Sequence, residues 1–113
     1  MHGELRITTA LAKVLRAFLD DPSVPRYGFD LMRGTRLPSG TLYPILARLE
    51  RMGWVVSQNE DVDPVAEGRP ARRFYRLTEH GLRQGAHELT ALSDALRPPA
   101  TVPAALSPQG GRA

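Results

Sequence analysis

The chain contains no cysteine, which removes disulfides and cysteine-based zinc sites from the ways it can be held together. It has no run of about 18 apolar residues, so no segment reads as a membrane-spanning helix. The N-terminus lacks a basic stretch followed by an apolar core, so it does not read as a signal peptide. A cytoplasmic protein with no membrane partner is the expectation. Catalytic signatures are missing too: there is no glycine-rich phosphate loop, no Ser-x-Gly nucleophile elbow, and no paired carboxylate set amid a core large enough to enclose a pocket. His80 and His87 lie seven residues apart, about 10 Å of helical rise, too far for one metal to bridge within a chain. The sequence therefore reads as non-enzymatic, with no cofactor and no metal. Lysine is nearly absent as well. Of 15 basic residues only Lys13 is not arginine, a bias that GC-rich coding explains as readily as phosphate recognition. The placement of the charges, rather than their type, carries the information.

What is present centres on residues 37–54. Ser39 is suited to cap a helix, because its hydroxyl can accept from unpaired amides of the first turn, and Gly53 is a natural stop. These signals predict a helix from Gly40 to Met52. At about 100° per residue, Leu42, Ile45, Leu46, Leu49 and Met52 fall on one arc. Gly40, Thr41, Tyr43, Pro44, Ala47, Arg48 and Arg51 occupy the rest. One face is core and the other is free to touch something. Pro44, one turn inside the start, deletes a backbone donor and predicts a bent entrance that shapes the exposed first turn. Two β-rich runs follow, Trp54 to Gln58 and Arg72 to Thr78. The polar loop from Asn59 to Ala71 joins them. Its Glu67-Gly68-Arg69-Pro70-Ala71-Arg72-Arg73 segment makes a turn carrying cations, and arginine there can fork onto phosphate oxygens or enter a minor groove. A capped cationic helix running into such a hairpin has the anatomy of a DNA recognition helix followed by a wing. The acidic residues Glu60, Asp61, Asp63 and Glu67 would repel phosphate if they faced DNA. They are expected to point away and keep the wing extended.

Several of these segments, taken in order, resemble one family. They are Tyr27-Gly28-Phe29-Asp30-Leu31-Met32, Ser39-Gly40-Thr41-Leu42-Tyr43-Pro44-Ile45-Leu46, Arg48-Leu49-Glu50, Gly68-Arg69-Pro70 and Arg73-Phe74-Tyr75-Arg76-Leu77-Thr78-Glu79-His80-Gly81. The chain is similar to PadR-family transcriptional regulators over about residues 7 to 97, and the Gly-Thr-Leu-Tyr-Pro run is the specific signal. The resemblance implies a homodimeric winged helix-turn-helix repressor with a C-terminal dimerisation helix and, often, a small-molecule effector. Only one such helix fits before the tail, as in the family's shorter members. The connection Arg33 to Leu37 is shorter than in many members. Some members grip flat aromatic ligands with a tryptophan on the terminal helix. Here the only tryptophan, Trp54, stands at the start of the first wing strand and is expected to anchor the hairpin to the core.

The remaining elements fit a mainly α chain with a small β-hairpin. Ile7, Leu11, Val14, Leu15 and Phe18 recur at helical spacing and predict a first helix from Thr8 to Asp20. Asp21-Pro22-Ser23-Val24-Pro25 breaks it, and a second, shorter helix is predicted from Arg26 to Gly34. Tyr27 near its start either offers a hydroxyl to phosphate or caps the core. From Glu79 helical spacing returns, with Leu82, Leu89 and Leu96 seven apart. Each buried leucine stabilises by about 1.5 to 3 kcal/mol, so such a stripe, doubled by symmetry, can hold a dimer. Gly85 weakens this helix unless another backbone approaches closely there. Leu11, Leu82, Ala86, Leu89, Leu92 and Leu96 are the expected interface, with packing of the stripe on the first helix of the same chain as the alternative. The expected organisation is a winged helix-turn-helix over 1–78, a dimerisation helix over 79–97 and a disordered Pro/Ala/Gly-rich tail over 98–113.

The partner expected is a double-stranded operator, met by Tyr27, Ser39, Gly40, Thr41, Tyr43, Pro44, Arg48, Arg51, Arg69, Arg72 and Arg73. Thr41 and Tyr43 are candidates for base edges or adjacent phosphates, and Arg48 and Arg51 for backbone. The rival is a winged-helix module for protein contacts, whose exposed helix face would carry an apolar patch rather than these polar residues.

Overall fold

The first helix, α1, spans Thr9–Asp20 and buries Leu11, Val14, Leu15 and Phe18, the stripe expected from their spacing. Thr8 is its N-cap, its hydroxyl accepting from the Leu11 amide at 3.1 Å. The computed structural model describes residues 6–101; most of the expected disordered tail lies outside them.

After the Asp21–Pro25 break the chain departs from expectation. Arg26–Tyr27 is not helix but a short strand, β1, and α2 runs over Gly28–Thr35. Two residues are too few to signal a strand by alternation. They are extended because Arg26 and Tyr27 pair antiparallel with Tyr75 and Phe74, almost fifty residues away. The expected hairpin is thus a three-stranded antiparallel sheet in the order β1-β3-β2, with β2 at Val55–Asn59 and β3 at Arg73–Leu77. At the end of α2, the buried Thr35 hydroxyl donates to the Leu31 carbonyl at 2.6 Å and accepts from the Leu37 amide at 3.3 Å. Arg36 takes a left-handed backbone (φ 59°) that lets the short connection turn.

Helix α3 covers Ser39–Arg51 and continues through Pro44. Its N-cap is Pro38, not Ser39, and no side chain caps it. Proline's fixed φ, here −69°, already suits the extended residue before a helix. The Pro38 carbonyl accepts from the Thr41 and Leu42 amides at 3.0 and 2.9 Å. At the other end the Trp54 amide bonds the Leu49 carbonyl and the Gly53 amide bonds Glu50, with Gly53 at φ 76°. This is a Schellman closure, which needs a residue tolerant of positive φ.

The wing loop, expected to be irregular, contains a single helical turn, α4, at Pro64–Glu67. Asp63 caps it, accepting from the Val65 amide at 3.0 Å. The last helix, α5, spans Glu79–Leu96 and is capped by the Thr78 hydroxyl, which accepts from the Gly81 amide at 2.9 Å. Its buried residues are Gly81 and Gly85. The close backbone approach occurs at Gly81, where a Cβ would stand 2.0 Å from the Trp54 carbonyl oxygen. Gly85 instead meets the Leu15 and Leu19 side chains at ordinary contact distance.

One core joins Leu11, Val14, Leu15 and Phe18 of α1 to Leu31, Leu42, Leu46, Leu49, Trp54, Val55, Tyr75 and Leu77. Leu11, 3% exposed, is therefore core of its own chain, which corrects its assignment to a dimer interface. Leu89 also packs partly against this core. Leu82, Ala86 and Leu96 stay exposed. No helix among the described residues is long and apolar enough to cross a membrane.

Candidate nucleic-acid interface

Burying Leu42, Leu46 and Leu49 against the core turns the opposite face of α3 to solvent. Ser39, Gly40, Thr41, Tyr43, Pro44, Arg48 and Arg51 are all exposed there. The face is polar and cationic, and neither Arg48 nor Arg51 makes an ion pair among the described residues. Tyr43, 40% exposed, leans over the start of α2 so closely that a Cβ on Gly28 would meet its hydroxyl at 2.4 Å. Gly28 thus lets the first turn of α3 approach α2.

The strand pairing of β1 brings the wing to the same place. Tyr27 is half-buried and packs edge-on to Phe74, with ring centroids 5.8 Å apart. The Arg72 guanidinium lies 5.9 Å from the Tyr27 ring centroid, a favourable cation–π placement. Arg73 is held differently. Its guanidinium donates to the Ser57 hydroxyl at 2.8 Å, and that hydroxyl donates to the Glu50 carboxylate of α3 at 2.7 Å. A groove of about 400 Å³ results, lined by Tyr27, Gly28, Phe29, Asp30, Tyr43, Arg72 and Arg73. Four of the residues expected at the interface, from three separate elements, meet around it. Arg48 and Arg51 lie on the later turns of α3 and do not line it.

Arg69 is placed otherwise than expected. Its guanidinium pairs with Glu60 and also donates to the Pro70 carbonyl at 3.1 Å, with Glu67 at 4.0 Å. Glu60 folds back onto the loop: it takes this ion pair and accepts from the Arg72 amide at 2.9 Å. The hydrogen bond from Arg69, then that from Arg72, holds the Glu60 carboxyl below the usual carboxylate range, and Glu60 in turn raises Arg69. Burial pushes the Tyr75 phenol up, so it stays neutral beneath the sheet.

Sequence reasoning missed Phe29, Glu50 and Ser57. Phe29 is 61% exposed, with the Arg33 guanidinium 5.9 Å from its ring centroid. Helical spacing alone does not single it out, because its exposure depends on where the start of α2 sits against β1 and β3. Glu50 and Ser57 meet only because the Gly53 turn folds β2 back along α3; no periodicity links them.

Known proteins share this sequence pattern and fold. The family model described as the transcriptional regulator PadR-like family matches residues 23–87, more than half of the chain. Transcriptional regulator Rv3488 of Mycobacterium tuberculosis is 44% identical over 64 residues, which are 57% of this chain and 55% of that protein. The matched segment thus spans about half the length of this curated relative. A crystal structure of AbfR of Staphylococcus epidermidis superposes with a TM-score of 0.63 at 27% identity, covering 80% of this chain and 56% of that one. A crystal structure of overoxidized AbfR bound to DNA also superposes with a TM-score of 0.63, at 29% identity over 80% and 60% of the two chains. The chain belongs to the PadR-like family of transcriptional regulators.

Proposed function

We propose that this regulator binds double-stranded DNA sequence-specifically, as a homodimeric repressor on an inverted-repeat operator. The observation that carries the reading is the convergence of the exposed polar face of α3 with Arg72 and Arg73 at one groove. Helix α3 has the shape and surface to enter a major groove by its first turn, presenting Thr41 and Tyr43 to base edges. The wing arginines then meet the flanking backbone, and Arg48 and Arg51 the backbone beside the groove. The similarity to AbfR, solved bound to DNA, supports the same role here. Two copies related by a twofold axis would place their α3 helices in successive major grooves, about 34 Å apart.

The test is a fluorescence-anisotropy titration against the duplex upstream of the protein's own gene and a scrambled duplex, at about 0.15 M salt. The expected result is promoter binding tighter by about 10³ or more. Equal, weak binding to both, together with pull-down of a protein partner through the α3 face, would overturn the reading in favour of a protein-contact module.

A further inference from the structure

We propose that Glu60 is a positioning residue for DNA binding: it closes the base of the wing loop and so presents Arg72 to the duplex, although it bears the charge that DNA repels. The role in binding rests on the DNA reading above; the closure itself does not.

The register of β2 and β3 ends at the pair Asn59↔Arg73. Glu60 and Arg72 are the next opposed residues. A regular ladder would have them exchange two backbone hydrogen bonds. Only one is a backbone bond here, the Glu60 amide donating to the Arg72 carbonyl at 2.7 Å. The Arg72 amide instead donates to the Glu60 side-chain oxygen Oε1 at 2.9 Å. The same oxygen takes the Arg69 guanidinium. Arg69 is fixed from its own side, its amide donating to the Pro64 carbonyl at 3.2 Å and its guanidinium to Pro70. One carboxylate oxygen therefore gathers the end of β2, the loop after α4 and the start of β3. Its side chain keeps only 12% of its exposure, whereas an unconstrained loop glutamate would be solvated. Arg72, tied at its backbone by this oxygen, projects its guanidinium over Tyr27 at the groove.

Two effects of removing Glu60 oppose each other. Deleting an anion near phosphate raises affinity through the protein's field. Releasing the loop lets Arg72 wander, and binding must then repay its ordering. The positioning role requires the second effect to win, so the sign of the change decides.

The experiment measures duplex affinity by anisotropy and, in DNA-free protein, hydrogen exchange at the Arg72 amide. In E60A the exchange is expected to quicken about tenfold and affinity to fall about tenfold; E60Q, which keeps the shape without the charge, lies between. The double variant E60Q/R69Q is expected to bind no more weakly than the worse single variant, because both break one linkage. Affinity unchanged or raised in E60A overturns the positioning role, and unchanged Arg72 exchange overturns the closure. If the parent protein binds no duplex, the DNA reading and the positioning role both fall; faster Arg72 exchange in E60A still separates that failure from failure of the closure.

Discussion

Arg72 and Arg73 are neighbours in sequence yet are held by different means. Arg72 rests over an aromatic ring, while Arg73 is bound through Ser57 to Glu50 of α3. In the proposed complex both meet phosphate, which carries no sequence information. Arg72→Ala should therefore weaken binding to all duplexes alike and reduce the salt slope by about one unit. Anisotropy at several salt concentrations on operator and scrambled duplexes checks this, and relaxed sequence choice with an unchanged slope would contradict it. The Glu60 carboxyl supplies a pH prediction. Its pKa is lowered by Arg69 and Arg72, so its contribution to wing order is present above the ordinary glutamate range and is lost only as pH falls below it. The Arg72 amide resonance should hold its native position at pH about 4.3, where a free glutamate is half protonated, and move at lower pH.

At the scale of elements, two glycines make contrasting tests. A Cβ at Gly81 would strike the Trp54 carbonyl, which is backbone and cannot step aside. Gly81→Ala should lower stability by about 1–3 kcal/mol, read as a fall in Tm. A Cβ at Gly28 would strike the Tyr43 hydroxyl, the far end of a side chain that can swing. Gly28→Ala should cost little in Tm but displace Tyr43 and weaken operator binding more than scrambled binding. The same contrast between local and distant causes explains what the sequence disclosed. Helices α1, α3 and α5 were legible within a residue or two, because their apolar period and their stop or cap signals are local. Strand β1 was not, since two residues carry no pattern and its cause is a partner on β3. The exposed face of α3 was legible for the same reason as its core face, one being the complement of the other. The roles of Arg69 and Glu60 were not, because charge counted along a loop does not reveal which charges neutralise each other.

At the scale of the whole molecule, α5 would in the proposed dimer divide its apolar residues between two duties. Gly81, Gly85 and Leu89 serve the chain's own core, whereas Leu82 and Leu96, 37% and 72% exposed, do not. Leu89→Glu would confuse the two by damaging the core. The double substitution Leu82→Glu with Leu96→Glu separates them: it should give folded monomers by sedimentation, with an unchanged far-ultraviolet spectrum and poor operator binding. A persisting dimer would move the interface off α5. One peptide unit has a further mechanical consequence. The Trp54 carbonyl follows directly on the closure of α3, accepts from the Thr78 amide at 2.9 Å and from the Thr78 hydroxyl at 3.2 Å, and lies beneath Gly81. Helix α5 runs on from Gly81 to Leu96, about 22 Å beyond that pivot. In the proposed twofold pair, geared through two such pivots, a tilt of about 10° at the junction would sweep the far end of the lever by about 4 Å. In the proposed dimer the two α3 helices would thus move out of step with the pitch of the duplex through an event that never touches them.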